Sequence, residues 1–434
     1  MLSFSAMGLG QWFIRSLMKD NEIENRVTIA KFFKMQLILG LIFYLVNVTL
    51  SALLYRNETI IILSSILGIN IIFDNLIYVI KHINIKNFEQ KKTFAINISD
   101  AILKFTLAIL IFTIKIPLIA MALFIIFMRF ISLNMFIKYG TSNCITIKQI
   151  INQNIRYLEI KNIIINNYSF VIIGSISVFF WSLGGIIVSI FYSYNDVSNY
   201  EIAFKLFSIA EIIPVIVSSS IFPMLIKLDK ENYYKKIQLY KNAFIVYSIY
   251  GLLSYTFMLS YSKDIIPFAF GINFGESVKM SEDMFLTMVV FPSGLLQANM
   301  LISMNHEKLD MKLNIISLTV NLVLSMLGTI LIGKVFVINS SIFIAFLVFH
   351  ILQNIYLVRF NVLSIFEVMK NYGVLISIVI SFEYINNVFD SKLLFFYYWI
   401  AIIIAVGSII FIKQKIKLVS NKNLDNKRTE MIKY

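Results

Sequence analysis

The stretch Leu37-Ile-Leu-Gly-Leu-Ile-Phe-Tyr-Leu-Val-Asn-Val-Thr-Leu-Ser-Ala-Leu-Leu54 runs for eighteen residues without a charge. Wound as an α-helix it rises about 27 Å, close to the ~30 Å hydrocarbon core of a bilayer. It shows no alternation of period two, so a barrel strand does not fit it. The same pattern returns at the other end of the chain, from Leu393 to Ile412.

Between these two, apolar runs recur, and twelve complete spans are expected near 34–54, 58–80, 95–115, 117–138, 164–192, 200–226, 240–262, 284–304, 310–332, 335–358, 371–389 and 393–412. Met1–Ile14 is apolar but too short to cross, and reads as the end of a further, partial helix. The composition agrees, at 59% hydrophobic and 14% charged. A soluble core cannot hide that much apolar surface, whereas lipid accepts it. The fold class expected is an all-α, multi-pass membrane protein.

The basic residues give an independent test. With the 15–33 connection placed inside, the inner connections and the tail hold 29 of the 38 Lys and Arg, and the outer ones hold 6. That asymmetry is what the positive-inside rule requires, and one missed helix would scramble it downstream. The net charge of +14 therefore reflects topology and contact with anionic lipids, not nucleic acid. It places the C-terminus in the cytoplasm. No cleavable signal peptide is expected, because a basic start and a small-residue cleavage site are missing.

Loop lengths suggest the organisation: an N-terminal group at 1–140, an amphipathic cytoplasmic linker at 141–163, a C-terminal group at 164–360, two additional helices at 371–412 and a basic tail at 413–434. The linker is read as partly helical because Ile147, Ile151, Ile155 and Leu158 recur at helical spacing. The largest outer connection is expected at 262–283.

Cys144 is the only cysteine, and His82, His306 and His350 lie far apart. Neither a disulfide framework nor a metal site is expected, and no cofactor is implied. The chain shows no phosphate-cradling glycine loop and no nucleophile elbow. An enzyme is not expected.

Charges within spans each cost about 2.5–3.5 kcal/mol on insertion scales, so each needs a reason. The cations are Lys104, Arg129 and Lys205, and the anions are Asp74, Asp100, Glu211 and Glu383. Asp100 and Lys104 stand four apart, the spacing of a helical ion pair; Glu201 and Lys205 repeat it. Arg129 has no acid within a turn on its own helix. It needs a partner across the bundle, a water-filled cavity, or an anion such as phosphate, which suits its planar fork. Asp74 is either solvated near the inner interface or a coupling acid. Glu211, three residues before Pro214, either lines a kink or pairs with Lys104 or Arg129. Glu383 and His350 read as structural.

Four stretches carry a family resemblance. Gly8-Leu-Gly-Gln-Trp-Phe-Ile-Arg15 looks like the end of a second helix. Ser198-Asn-Tyr-Glu-Ile-Ala-Phe-Lys-Leu206, running on through Pro214 to Pro223, is similar to an eighth. Phe268-Ala-Phe-Gly271-Ile-Asn-Phe274 looks like an outer loop, and Asn314, Asn321 and Leu322 sit where an eleventh helix shows spaced asparagines. In this order they resemble the polysaccharide-transporter branch, which includes O-antigen flippases, of the multidrug/oligosaccharidyl-lipid/polysaccharide (MOP) exporter superfamily. Relative to that pattern, the first helix and part of the second are not in this sequence.

The resemblance implies two pseudo-symmetric helical lobes around a central cavity, in a bacterial inner membrane. It implies a cargo of undecaprenyl-pyrophosphate-linked oligosaccharide and, as further partners, other polysaccharide assembly proteins. Arg129, then Lys205 and Lys104, would hold the pyrophosphate, while Asp74, Asp100 and Glu211 would be coupling or cavity acids. A drug/cation antiporter of the same superfamily is the nearest rival. A membrane polysaccharide polymerase is the second, although the 262–283 connection is short for one.

Overall fold

A computed structural model describes residues 5–18, 22–54, 58–113, 117–140, 155–389 and 393–404. All the regular structure among them is helical. In chain order the helices are α1 (Gly10–Leu17), α2 (Glu22–Leu54), α3 (Glu58–Gly68), α4 (Asn70–Lys86), α5 (Gln90–Thr113) and α6 (Leu118–Met135). Then come α7 (Tyr157–Asn166), α8 (Tyr168–Phe191), α9 (Tyr194–Glu231), α10 (Tyr233–Phe270), α11 (Glu276–Phe285), α12 (Phe291–Ser303), α13 (Glu307–Ile332), α14 (Phe336–Arg359) and α15 (Ile365–Val388). A shorter apolar helix, α16 (Leu394–Ile404), follows.

Ten spans among the described residues are long and apolar enough to cross a membrane. Two of them are built from paired helices, α3 with α4 and α11 with α12. With α5 and α16 they account for all twelve expected positions. The end of the 393–412 span and the 413–434 tail lie outside the described residues, as do Ile147 and Ile151 of the linker.

The helices are longer than the spans read from hydropathy. α9 and α10 each have 38 residues, about 57 Å of helix. The expected outer connection at 262–283 is therefore not a loop. α10 runs through Lys263 and Asp264 to Phe270, a single 3₁₀ turn covers Ile272–Phe274, and α11 starts at Glu276. Charged residues mark where a helix leaves lipid, not where it ends. The stop is Gly271, whose φ of +103° a side chain would resist.

The linker's phase also differs from the expectation. Arg156 is extended and caps α7, so the helical spacing does not carry through it. Leu158 is 64% exposed, whereas Ile160 is buried and Ile155, Ile163 and Ile164 pack on the neighbouring core.

Three apolar clusters hold the bundle. The first unites Leu9, Phe13, Phe32, Val79 and Phe136 with Phe170 of α8 and with Phe222, Ile226 and Ile302. The second and third belong to α8–α16, one around Phe207, Met288 and Ile338, the other around Tyr240, Met300 and Leu357. Met288 lies in the 3₁₀ turn Leu286–Val289 that joins α11 to α12, within the Glu276–Ser303 span, which is the most enclosed of the ten. The turn before α1 touches α8 where Gly8 meets Gly174, and a β-carbon on either glycine would strike the other's backbone.

Candidate functional site

Four of the charged residues singled out within spans come together. Arg129 on α6 makes an ion pair with Asp74 on α4 through its Nη2, and its Nε donates to the same carboxylate. Its Nη1 lies 3.7 Å from Asp100 Oδ2 on α5. Asp100 in turn holds Lys104 at 2.7 Å and accepts from the Ser132 hydroxyl. Two acids and two bases thus neutralise one another across three helices. Lys81 of α4 stands nearby, with its ammonium 5.4 Å from the Phe136 ring.

Of the fates open to Arg129, this arrangement is the salt bridge between helices. Asp74 is its partner rather than a solvated interface group. The Asp100–Lys104 pair forms as its spacing predicts. Lys104 remains 59% exposed, against 20% for Arg129, so it is the member of the cluster best able to meet an anion. Neutralising the network makes the charges tolerable at membrane depth.

Lys205 and Glu211 lie elsewhere, on α9. Lys205 is exposed and, among the described ion pairs, is not joined to Glu201. Glu211 is half-buried and pairs with neither Lys104 nor Arg129, which are taken by Asp100 and Asp74. Glu211 sits at a break in the backbone ladder. Pro214 has no N–H for the Ala210 carbonyl, and the Tyr250 hydroxyl of α10 donates to that oxygen at 2.6 Å instead. The Tyr247 hydroxyl reaches the Pro214 carbonyl at 3.2 Å. Pro223 frees the Ser219 carbonyl in the same way, and Gln90 of α5 donates to it at 3.3 Å. Sequence patterns carry no signal for these three donors, because each lies on another helix.

The N-terminal and C-terminal helices are tied at their inner ends. Arg15 of α1 grips Glu307 at the start of α13 with two bonds, 2.8 and 3.1 Å, and its guanidinium lies 5.3 Å from the Phe170 ring. Gln11 reaches Asn299 at 3.5 Å, and Asn299 donates to Ser218.

Two cavities flank α10. An apolar one of about 390 Å³ lies against Leu206, Ile209, Ile213, Leu253, Phe257 and Phe395. A polar one of about 320 Å³ lies at the outer end, against Lys263, Lys279, Glu282, Asp283 and Glu383. Glu383 also accepts from the Tyr255 hydroxyl, and the buried His350 bonds Ser293 at 3.0 Å and Tyr372 at 2.5 Å. Both therefore have the structural partners expected of them. No group of three or more metal-binding side chains occurs among the described residues.

Residues 1–279 match the family described as "Polysaccharide biosynthesis protein". The chain belongs to this family. No curated protein matches it. Solved structures share the fold of this polysaccharide biosynthesis protein at low identity. One is the outward-facing conformation of a multidrug resistance MATE family transporter of the MOP superfamily, with TM-score 0.67, 13% identity and coverage of 83% of this chain and 84% of that one. Another is an inward-facing conformation of such a transporter, with TM-score 0.62, 13% identity and coverage of 84% and 89%. A third is a MOP superfamily transporter from Pyrococcus furiosus whose description notes a binding pocket of reversed polarity, with TM-score 0.63, 14% identity and coverage of 82% and 84%. The family member thus has the two-lobed MOP exporter fold that the resemblance implied.

Proposed function

We propose that this protein is a flippase, moving a lipid-linked oligosaccharide across a bacterial inner membrane by alternating access. The carrying observation is the pairing of a polysaccharide-biosynthesis family with an exporter fold. The cargo would be an undecaprenyl-pyrophosphate-linked repeat unit for O-antigen, capsule or another surface polysaccharide. Its two ends need opposite surroundings. The isoprenyl chain suits the apolar cavity beside α9 and α10, and the pyrophosphate needs cations. Lys104 and Lys205 are the exposed cations nominated for it; Arg129 supports the site by holding Asp74 and Asp100. Glu211, beside the Pro214 interruption of α9, would be a coupling or cavity acid. The basic inner loops would face anionic lipids, with the C-terminus in the cytoplasm, and neighbouring polysaccharide assembly proteins are the expected partners. Nothing in this reading calls for catalysis by the chain.

The test is the level of undecaprenyl-pyrophosphate-linked oligosaccharide in cells lacking the gene, with and without re-expression. Accumulation on the cytoplasmic side, relieved by re-expression, is the expected result. Normal levels with altered drug sensitivity would favour a drug/cation antiporter and overturn the proposal.

A further inference from the structure

The polar cavity near the Gly271 end of α10 is walled by three helices, and each turns one face to it. α10 supplies Tyr255, Leu259 and Lys263, spaced four residues apart. α11 supplies Lys279, Glu282 and Asp283, and α15 supplies Glu383, Asn386 and Asn387. Both of these sets follow the i, i+3, i+4 spacing that gathers side chains on one side of a helix. Charged and amide groups on facing stripes enclose an aqueous space, because lipid and a dry core both penalise them.

Bonds within the wall use only part of this polarity. Ser262 donates to Glu282 Oε1 at 2.8 Å, and the Tyr255 hydroxyl donates to Glu383 Oε1. Lys279 Nζ lies 3.1 Å from Asp283 Oδ1 and 3.8 Å from Glu282 Oε2. The second oxygens of Asp283 and Glu383 receive no hydrogen bond among the described residues. The side chains of Lys263, Asn386 and Asn387 likewise have no partner among them. Glu282 and Asp283 are only 14% and 22% exposed, whereas Lys263, Lys279 and Asn387 are exposed. Acceptors therefore form the floor of the cavity, and donors form its rim.

A ligand that fits must donate at the floor and accept at the rim. Hydroxyl groups do both, each with one O–H and two lone pairs. A small anion would face three carboxylates, and a polyamine would face Lys263 and Lys279 at the entrance. No group of three metal-binding side chains suited to an ion occurs among the described residues. Leu259 and Leu286 add an apolar patch on which the C–H face of a sugar ring can rest. The volume of about 320 Å³ lies within the ~300–1,000 Å³ of small-molecule sites.

We propose that this cavity binds a neutral carbohydrate, a mono- or disaccharide unit. Asp283 and Glu383 accept from its hydroxyls, and Lys263, Asn386 and Asn387 donate to its oxygens. The site stands on its lining and not on the cargo proposed above, so either can fail while the other holds.

The experiment is saturation-transfer NMR on the purified full chain in lauryldimethylamine oxide, a detergent without a sugar headgroup. The probes are N-acetylglucosamine, galactose and maltose, with spermidine run beside them. Transfer to at least one sugar is expected. The double variant Asn386→Ala/Asn387→Ala, which removes donors that hold nothing else, should weaken its binding about tenfold. If that variant does not fold, Lys263→Met carries the test, with weakened sugar binding again expected. No transfer to any of the sugars, or undiminished transfer in the variant, overturns the site. Transfer to spermidine alone would make it an amine site and overturn the carbohydrate.

Discussion

Arg15 and Glu307 are joined by two parallel bonds of 2.8 and 3.1 Å, although 292 residues separate them. Their side chains are only 14% and 18% exposed, so the pair is shielded more than a surface ion pair. It connects the N-terminal and C-terminal helices directly. A double-mutant cycle with Arg15→Gln and Glu307→Gln should give a coupling of about 1–2 kcal/mol, above the ~0.2–1 of exposed pairs. The swap Arg15→Glu with Glu307→Arg should restore part of the stability that either reversal removes. Additive unfolding midpoints would show that the pair ties nothing.

Arg129 answers to two carboxylates and Asp74 to one cation, so their removal should not be equivalent. Arg129→Ala leaves Asp74 without its cation while Lys104 still holds Asp100, and should cost about 2 kcal/mol, the penalty for breaking a buried pair discounted for partial exposure. Asp74→Asn leaves Arg129 with Asp100 and should cost less. Arg129→Lys should recover part of the loss, since one ammonium cannot fork between both partners. Unfolding in detergent would rank the three, and a milder Arg129→Ala would refute the network.

Tyr250 supplies the hydrogen bond that Pro214 withholds from the Ala210 carbonyl. Tyr250→Phe should therefore cost about 1–2 kcal/mol in the wild-type background. In a Pro214→Ala background, where the backbone N–H returns, the same change should cost almost nothing. Equal costs in both backgrounds would mean that the hydroxyl serves another purpose.

Lys31 docks α7 on α2 by an ion pair with Glu159 of 2.8 Å. Its hydrogen bond holds the Glu159 carboxyl below the ordinary glutamate range. A depressed carboxylate stabilises docking above its unfolded-state range, and the contribution disappears as pH falls through the folded value. Amide protection in α7, corrected for the intrinsic pH dependence of exchange, should therefore hold steady from about pH 7 to about pH 5 and fall only below the ordinary glutamate value of 4.5; it should also fall at high salt. Exchange indifferent to both would remove the pair from the docking.

How much of this was legible in the sequence follows from where each partner lies. Charge-free runs such as Leu37–Leu54 reveal a span because lipid imposes its thickness locally. Helix ends were not legible, because Lys263 and Asp264 mark the lipid boundary while the helix continues to Phe270. Asp100 and Lys104 were legible as a pair since one turn joins them. Arg129 left its partner open because Asp74 is 55 residues away on another helix. Pro214 announced a broken ladder, but nothing near it in sequence named Tyr247 or Tyr250.

The contact between Gly8 and Gly174 makes the short helix that follows it a lever. Two backbones touch there without side chains to interlock, while Leu9, Phe13, Ile14 and Leu17 lock the helix into the first cluster, so any turn is carried rigidly to its far end. Arg15 sits seven residues further along, an arm of about 10 Å at helical rise. Turning that arm by about 15° would carry its tip some 3 Å, more than the slack in an ion pair of this kind. A rotation of that size would thus part Arg15 from Glu307.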